Sequence, residues 1–271
     1  MGNKIGGFFN ESEDYKAMFF GTSHAYCSFE PLYIYEKTGI KSYVLSSQKQ
    51  PLKITATYVK EGFKRKNPKV IFVDIYGGIF KITEDLGVVN SYSDYLPMSL
   101  NKLKMVGTKV PRGFKATALF PIVAYHSRWD DLNYEDYLKG YVLLKGQSQD
   151  FKKDIIKDKE DFLKSVTSFY EEAYLKENLK AIDEIIKTCQ KNGAKVYFVK
   201  TPIYSYSYYA DNIKVFKKYL EDRGAKFIDF NEFYHEMGLS KDDFYDPHHL
   251  NVSGAEKFND FFIDYMKREG V

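Results

Sequence analysis

Cysteine is scarce in this 271-residue chain: there are two, Cys27 and Cys189. That excludes a disulfide-rich scaffold and a four-cysteine zinc site. Long apolar runs are missing as well, and nothing approaches the ~20 residues of a membrane-spanning helix. Met1–Asn10 is short, Gly-rich and polar, so it does not read as a signal peptide. Charge bias is also absent. With 40 Lys+Arg against 37 Asp+Glu, the net charge of +3 is too small to imply nucleic acid or an anionic membrane as the main partner. The five histidines, His24, His126, His235, His248 and His249, have no metal-ligand spacing, so neither metal nor cofactor is expected.

What is abundant is aromatic: 24 Tyr and 22 Phe, beside a single Trp. A core of this size can absorb many Phe. Phenol hydroxyls need partners, so many Tyr are expected at the surface or in a cleft.

Apolar runs and turn residues alternate along the chain. Ala17–Phe20, Ser42–Leu45, Val70–Ile75, Lys195–Val199 and Lys226–Asp229 read as strands. Pro31 opens a helix that Gly39 closes, and Pro51 opens a second carrying Leu52, Ala56, Val59 and Phe63 on one face. Glu177–Lys191, Asn212–Arg223 and Ala255–Lys267 are amphipathic, the first two stopped by Gly193 and Gly224. Residues 76–149 read as irregular, with a helix near Ser93–Met105. Strands alternating with helices predict an α/β fold, a parallel sheet of about five strands in the order 2-1-3-4-5 with helices on both faces. The whole chain, 1–271, is expected to form a single catalytic domain, with 76–149 an irregular insertion after strand three.

In such sheets, sites form beyond the carboxyl ends of the strands. Reactive residues gather there: Gly21-Thr22-Ser23-His24, Ser46-Ser47-Gln48, Tyr76-Gly77-Gly78, Lys200-Thr201-Pro202, and Asp246-Pro247-His248-His249-Leu250-Asn251. Ser23, on a Gly-led strand-to-helix turn, suits a nucleophile with backbone N–H groups nearby; it also suits an ordinary turn serine. An Asp-x-x-His pair, Asp246 and His249, can fix an imidazole tautomer and leave Nε2 for the serine hydroxyl. The same loop reads as a helix cap through Asn251 and Ser253. His248 competes with His249 as the base. His24 lines a pocket or caps a helix. His126-Ser127-Arg128-Trp129 offers a cation and an aromatic face for a substrate, or a structural Arg–Asp pair with a buried Trp. Lys200 is either a contact for an anionic group or a solvated lysine. Tyr204, Tyr206, Tyr208 and Tyr209 follow the fourth strand, where amphipathic rings could bind sugar.

Phe19-Phe20-Gly21-Thr22-Ser23-His24, paired with Tyr245-Asp246-Pro247-His248-His249-Leu250-Asn251 before the last helix, resembles the SGNH (GDSL-like) hydrolase superfamily. The chain is most similar to its bacterial cell-surface acyltransfer branch, which includes the SGNH proteins of alginate and cellulose acetylation and of teichoic-acid D-alanylation. The resemblance implies a three-layer α/β/α fold, a Ser23–His249–Asp246 triad and an acyl-serine intermediate. Thr22 stands where the family often has Asp. The second-block Gly is not evident, and Gly-x-Asn-Asp is absent after Val70–Ile75, where Asp74 and Tyr76 lie. The N–H groups of Ser23 and of Ser46 or Ser47 are the expected oxyanion donors, and losing one such donor costs about 3 kcal/mol. Ser46, Ser47, His24, Tyr76, His126, Arg128, Trp129 and Lys200 are the expected oxyanion and substrate contacts. The implied activity is transfer of acetyl to a bacterial exopolysaccharide outside the membrane. The implied partner is a membrane-bound O-acyltransferase, and the implied N-terminal membrane anchor is absent from the sequence. The alternatives are an acetyl esterase and a catalytically idle glycan-binding or scaffold subunit.

Overall fold

The computed structural model describes residues 2–121, 172–204 and 210–271. Five parallel strands form one sheet in the order β2-β1-β3-β4-β5. They are β1 (Ala17–Phe20), β2 (Ser42–Val44), β3 (Val70–Asp74), β4 (Lys195–Lys200) and β5 (Lys226–Asp229). Their register is set by side-chain alternation. Met18, Phe20, Ile71, Val73 and Phe198 point into one buried cluster. Phe19, Val44, Phe72, Tyr197, Val199 and Ile228 point into another. Apolar residues on both faces are what a parallel sheet covered by helices requires.

Helices α1 (Gly2–Asn10), α4 (Leu52–Arg65), α9 (Glu172–Lys191) and α10 (Ala210–Glu221) cover the first face; α2 (Ser23–Ser28), α3 (Pro31–Thr38) and α11 (Val252–Arg268) cover the second. This is the predicted three-layer α/β/α architecture. Local signals account for several ends. Pro31 opens α3, and Gly39 at φ 70° closes it. The Asn251 side chain accepts the Gly254 N–H at the start of α11, so the capping expectation for Asn251 holds.

Two regions differ from the sequence expectation. The Gly-rich start is helical, because Ile5 and Phe8 are fully buried against the sheet. The stretch after β3, expected to be irregular apart from one helix near Ser93–Met105, contains α5 (Tyr76–Ile79), α6 (Leu86–Ser93), α7 (Leu100–Thr108) and α8 (Lys115–Leu119), so the expected helix starts later, at Leu100. Asp85 and Ser99 cap α6 and α7 with their side chains. These helices are short and punctuated by Gly and Pro, which hides their periodicity.

Most of the described tyrosines are partly or fully exposed, as expected, Tyr35 and Tyr95 among them, but several are enclosed. Tyr43, Tyr58 and Tyr92 are fully enclosed. The Tyr58 hydroxyl donates to the Tyr92 carbonyl and the Tyr92 hydroxyl to Glu84, so the phenols carry their own partners inside. Among the described residues, no helix is long and apolar enough to cross a membrane.

Candidate active site

The loop before α11 is closed at its base. Phe244 and Leu250 form an antiparallel bridge, Tyr245 N–H donates to the His249 carbonyl, and Asn251 N–H donates to the Asp243 carbonyl. Inside this closed turn the Asp246 carboxylate accepts the backbone N–H of His248 at 2.7 Å and of His249 at 2.9 Å. The turn is therefore built around one side chain, and that side chain also faces an imidazole. His249 Nδ1 lies 2.8 Å from Asp246 Oδ2 and 3.0 Å from Oδ1.

Ser23 arrives from the opposite end of the chain. Gly21 ends β1 at φ 150°, where a Cβ would stand 2.9 Å from Asp74 Cβ, so this turn requires glycine. Thr22 caps α2 by accepting the His24 N–H. The turn presents Ser23 Oγ 2.8 Å from His249 Nε2. Serine, imidazole and carboxylate thus form one chain of hydrogen bonds. With Nδ1–H donated to Asp246, Nε2 is the acceptor for the serine hydroxyl.

The electrostatics agree with that assignment. Burial raises the Asp246 carboxyl, but hydrogen bonds and charge from His249 and the His248 N–H outweigh burial and hold it below the ordinary carboxylate range. Burial brings His248 down to about 4 despite Asp246. His24 is lowered well below 6.5, first by burial and then by the charges of His249, His248 and Lys200. Both neighbouring imidazoles are therefore neutral near pH 7.

A second layer of contacts surrounds these three residues. The His24 ring stacks on Tyr76 at 3.6 Å and on His249 at 4.8 Å between centroids. The Tyr76 hydroxyl lies 3.0 Å from His248 Nδ1. His248, the rival base, is thus engaged with Tyr76, while His249 is the imidazole that meets Ser23. Buried Asp74 accepts the Tyr76 N–H through Oδ1 and the Thr201 N–H and hydroxyl through Oδ2. Burial raises its carboxyl to about 6 against these bonds and the Lys200 charge.

The remaining expected site residues divide. Ser46 and Ser47 follow β2, whose end is held beside β1 by the Leu45 N–H on the Phe19 carbonyl. Both are buried; Ser47 donates to Gln50, and Ser46 Oγ is a buried hydroxyl without a partner. Lys200 is not a solvated lysine: it is fully buried at the end of β4, and its Nζ reaches the Thr201 carbonyl at 3.4 Å. Burial lowers its ammonium while Asp229 and Asp74 pull the other way. His126, Arg128 and Trp129 lie outside the described residues, as do Tyr206, Tyr208 and Tyr209. Tyr204 donates its N–H to the Pro247 carbonyl, tying the end of β4 to the Asp246 loop. Sequence reasoning named Thr201 only as part of the Lys200-Thr201-Pro202 turn, without a role, and passed over Phe80, whose type and position at a helix end gave no signal apart from the neighbouring Tyr76.

Cys27 and Cys189 are free, buried thiols in opposite layers, and burial raises the Cys189 thiol to about 12. Among the described residues, no three His, Cys, Asp or Glu side chains gather as a metal site.

Comparison with known proteins adds three findings. No curated protein matches the chain. Among solved structures, the chain is similar to a candidate acylhydrolase from Bacteroides fragilis NCTC 9343, at 11% sequence identity and a TM-score of 0.42, over 94% of this chain and 92% of that one. At that score the likeness adds nothing to what the side-chain geometry supports. A protein-family model matches residues 99–269, more than half of the sequence.

Proposed function

We propose that this protein is a serine-dependent acyltransferase that moves a small acyl group, acetyl first among them, between oxygen atoms. One observation carries the reading: the continuous chain from Ser23 Oγ through His249 Nε2 and Nδ1 to Asp246. In the proposed reaction Ser23 Oγ attacks the carbonyl carbon of the donor ester as its proton passes to His249 Nε2. The tetrahedral centre collapses, the donor alkoxide takes that proton, and an acyl-Ser23 ester remains. An acceptor hydroxyl then gives its proton to His249 and attacks the acyl carbon; the Ser23 oxygen leaves and takes the proton back. Asp246 holds Nδ1–H throughout and stabilises the imidazolium at each stage.

The acceptor we propose is a polysaccharide hydroxyl outside the membrane, with a membrane-bound O-acyltransferase as the source of the acyl group. The sequence resemblance and the near-neutral charge support this, since a neutral glycan calls for no basic groove. Mass spectrometry after incubation with an acetyl-ester donor tests the chemistry. An acetyl group should appear on Ser23 and be lost with Ser23→Ala; no adduct in the wild type refutes the reading. Adding a cello-oligosaccharide or another glycan should divert acetyl from water to sugar. Release of free acetate alone, at every acceptor concentration, would make the protein an esterase.

A further inference from the structure

Hydrogen bonds at Nδ1 and Nε2 fix one edge of the His249 ring. They constrain far less the roll of the ring plane about the line joining those two nitrogens. A flat neighbour does. The His24 ring lies 4.8 Å from that of His249 at an interplanar angle of 26°. The stack continues to Tyr76 at 3.6 Å and 20°, then to Phe80 at 4.1 Å and 27°. Phe80 follows Tyr76 by four residues at the end of α5, so this last pair is set by helix spacing. The stack is also anchored at its far end. Tyr76 N–H is held by Asp74, and the Tyr76 hydroxyl meets His248 Nδ1.

We propose that His24 and Tyr76 are positioning residues: an uncharged ring stack that sets the plane of His249 and gives the imidazolium a π face. The inference rests on the acyl-transfer reading above and reassigns both residues from substrate contact to support of the base. During acylation His249 gains a proton, and a neutral ring facing a cation attracts it. A charged ring there would repel it. The groups facing His24 are His249 and His248 on the Asp246 loop, Lys200 at the end of β4 and Tyr76 at the head of α5. Burial beside these groups keeps His24 neutral.

The test compares wild type, His24→Ala, His24→Phe and Tyr76→Ala. Acylation by a small acetyl ester gives kcat and KM, and the low-field Nδ1–H proton of His249 is followed by NMR. Loss of the stack should lower kcat about 10- to 100-fold in His24→Ala and Tyr76→Ala, with KM within about twofold. The Nδ1–H signal should broaden as the ring loosens. His24→Phe, which restores a flat uncharged face, should recover the sharp signal and most of kcat. Full kcat with a sharp signal in His24→Ala overturns the proposal. So does lost kcat with an unchanged signal, which would return His24 to substrate contact. If His24→Ala does not fold, the comparison of His24→Phe with Tyr76→Ala decides: equal damage in both overturns the stack. Because the NMR signal requires no turnover, a wild type without an acyl-Ser23 adduct would sink the acyl-transfer reading while the stack is still judged.

Discussion

Asp246→Asn separates chemistry from folding within a single carboxylate. Asp246 Oδ1 accepts two backbone N–H groups, and an amide oxygen can go on doing so. Oδ2, however, faces His249 Nδ1 at 2.8 Å, and an amide places NH₂ there. Two N–H donors cannot face each other, so the ring must change tautomer. Nδ1 becomes the acceptor and Nε2 carries the hydrogen, leaving Ser23 without a base. Loss of the correct tautomer costs about 10⁴-fold in kcat, or about 5.4 kcal/mol of transition-state stabilisation. Stability should change much less. The lost charge assistance is worth about 1–2 kcal/mol, which shifts Tm by about 2–8 °C in a chain this long. Asp246→Ala is the contrast, because it leaves both backbone donors of the turn without their acceptor and should unfold at a lower temperature still. Rapid-mixing measurement of acyl-Ser23 formation, with circular dichroism for folding, reads both quantities. If Asp246→Asn acylates within about tenfold of wild type, the assignment of Asp246 is wrong.

Other expectations concern packing and pH. Gly77→Ala would place a Cβ 2.2 Å from the Gln50 carbonyl oxygen, so backbone must move; a loss of about 1–3 kcal/mol and slower acylation through displaced Tyr76 should follow, and an unchanged Tm would refute the contact. Gly107→Ala, in helical α7 with open space around it, should instead gain about 0.5–1 kcal/mol in a urea titration. His24 titrates well below 6.5 and His248 at about 4 in the fold, so between those values and 6.5 the unfolded chain binds more protons. Stability contributed by these two residues should therefore fall as pH drops below about 6.5. Urea midpoints across that range should slope less steeply in His24→Phe; an identical slope would count against a buried neutral His24. Asp74 acts with the opposite sign: raised to about 6, it opposes stability above that pH and less so below it. Lys200→Met removes the cation that favours its charged form, so the variant should lose more stability at about pH 8 than at about pH 5, and equal losses would show that Lys200 and Asp74 are uncoupled.

The strands and main helices were legible because both signals are local. Alternation sorted Met18 from Phe19 and Ile71 from Phe72 onto opposite faces, and Gly39, Gly193 and Gly224 stop helices with positive φ. The meeting of Ser23, His249 and Asp246 was anticipated from strand ends and the Asp-x-x-His spacing. The environment around them was not. The burial of Lys200 depends on what Asp229 and Asp74 bring to it from neighbouring strands. The His24–Tyr76 stack joins α2 to α5 across the sheet, a juxtaposition with no sequence period. The helix at Gly2–Asn10 was hidden because glycine dilutes the apolar pattern carried by Ile5, Phe8 and the partly buried Phe9.

The terminal helix holds one more consequence. Asn259 on α11 donates to the Ser28 carbonyl and accepts the Glu30 N–H, pinning that helix to the turn after α2. Ser23 and His249 are 226 residues apart in sequence. At ribosomal rates of about 5–20 residues per second, about 10–45 s separate their synthesis. Under the proposed mechanism the serine is without its base for that interval, so acylation of Ser23 should begin only once the loop ahead of α11 has been made and has folded against α2.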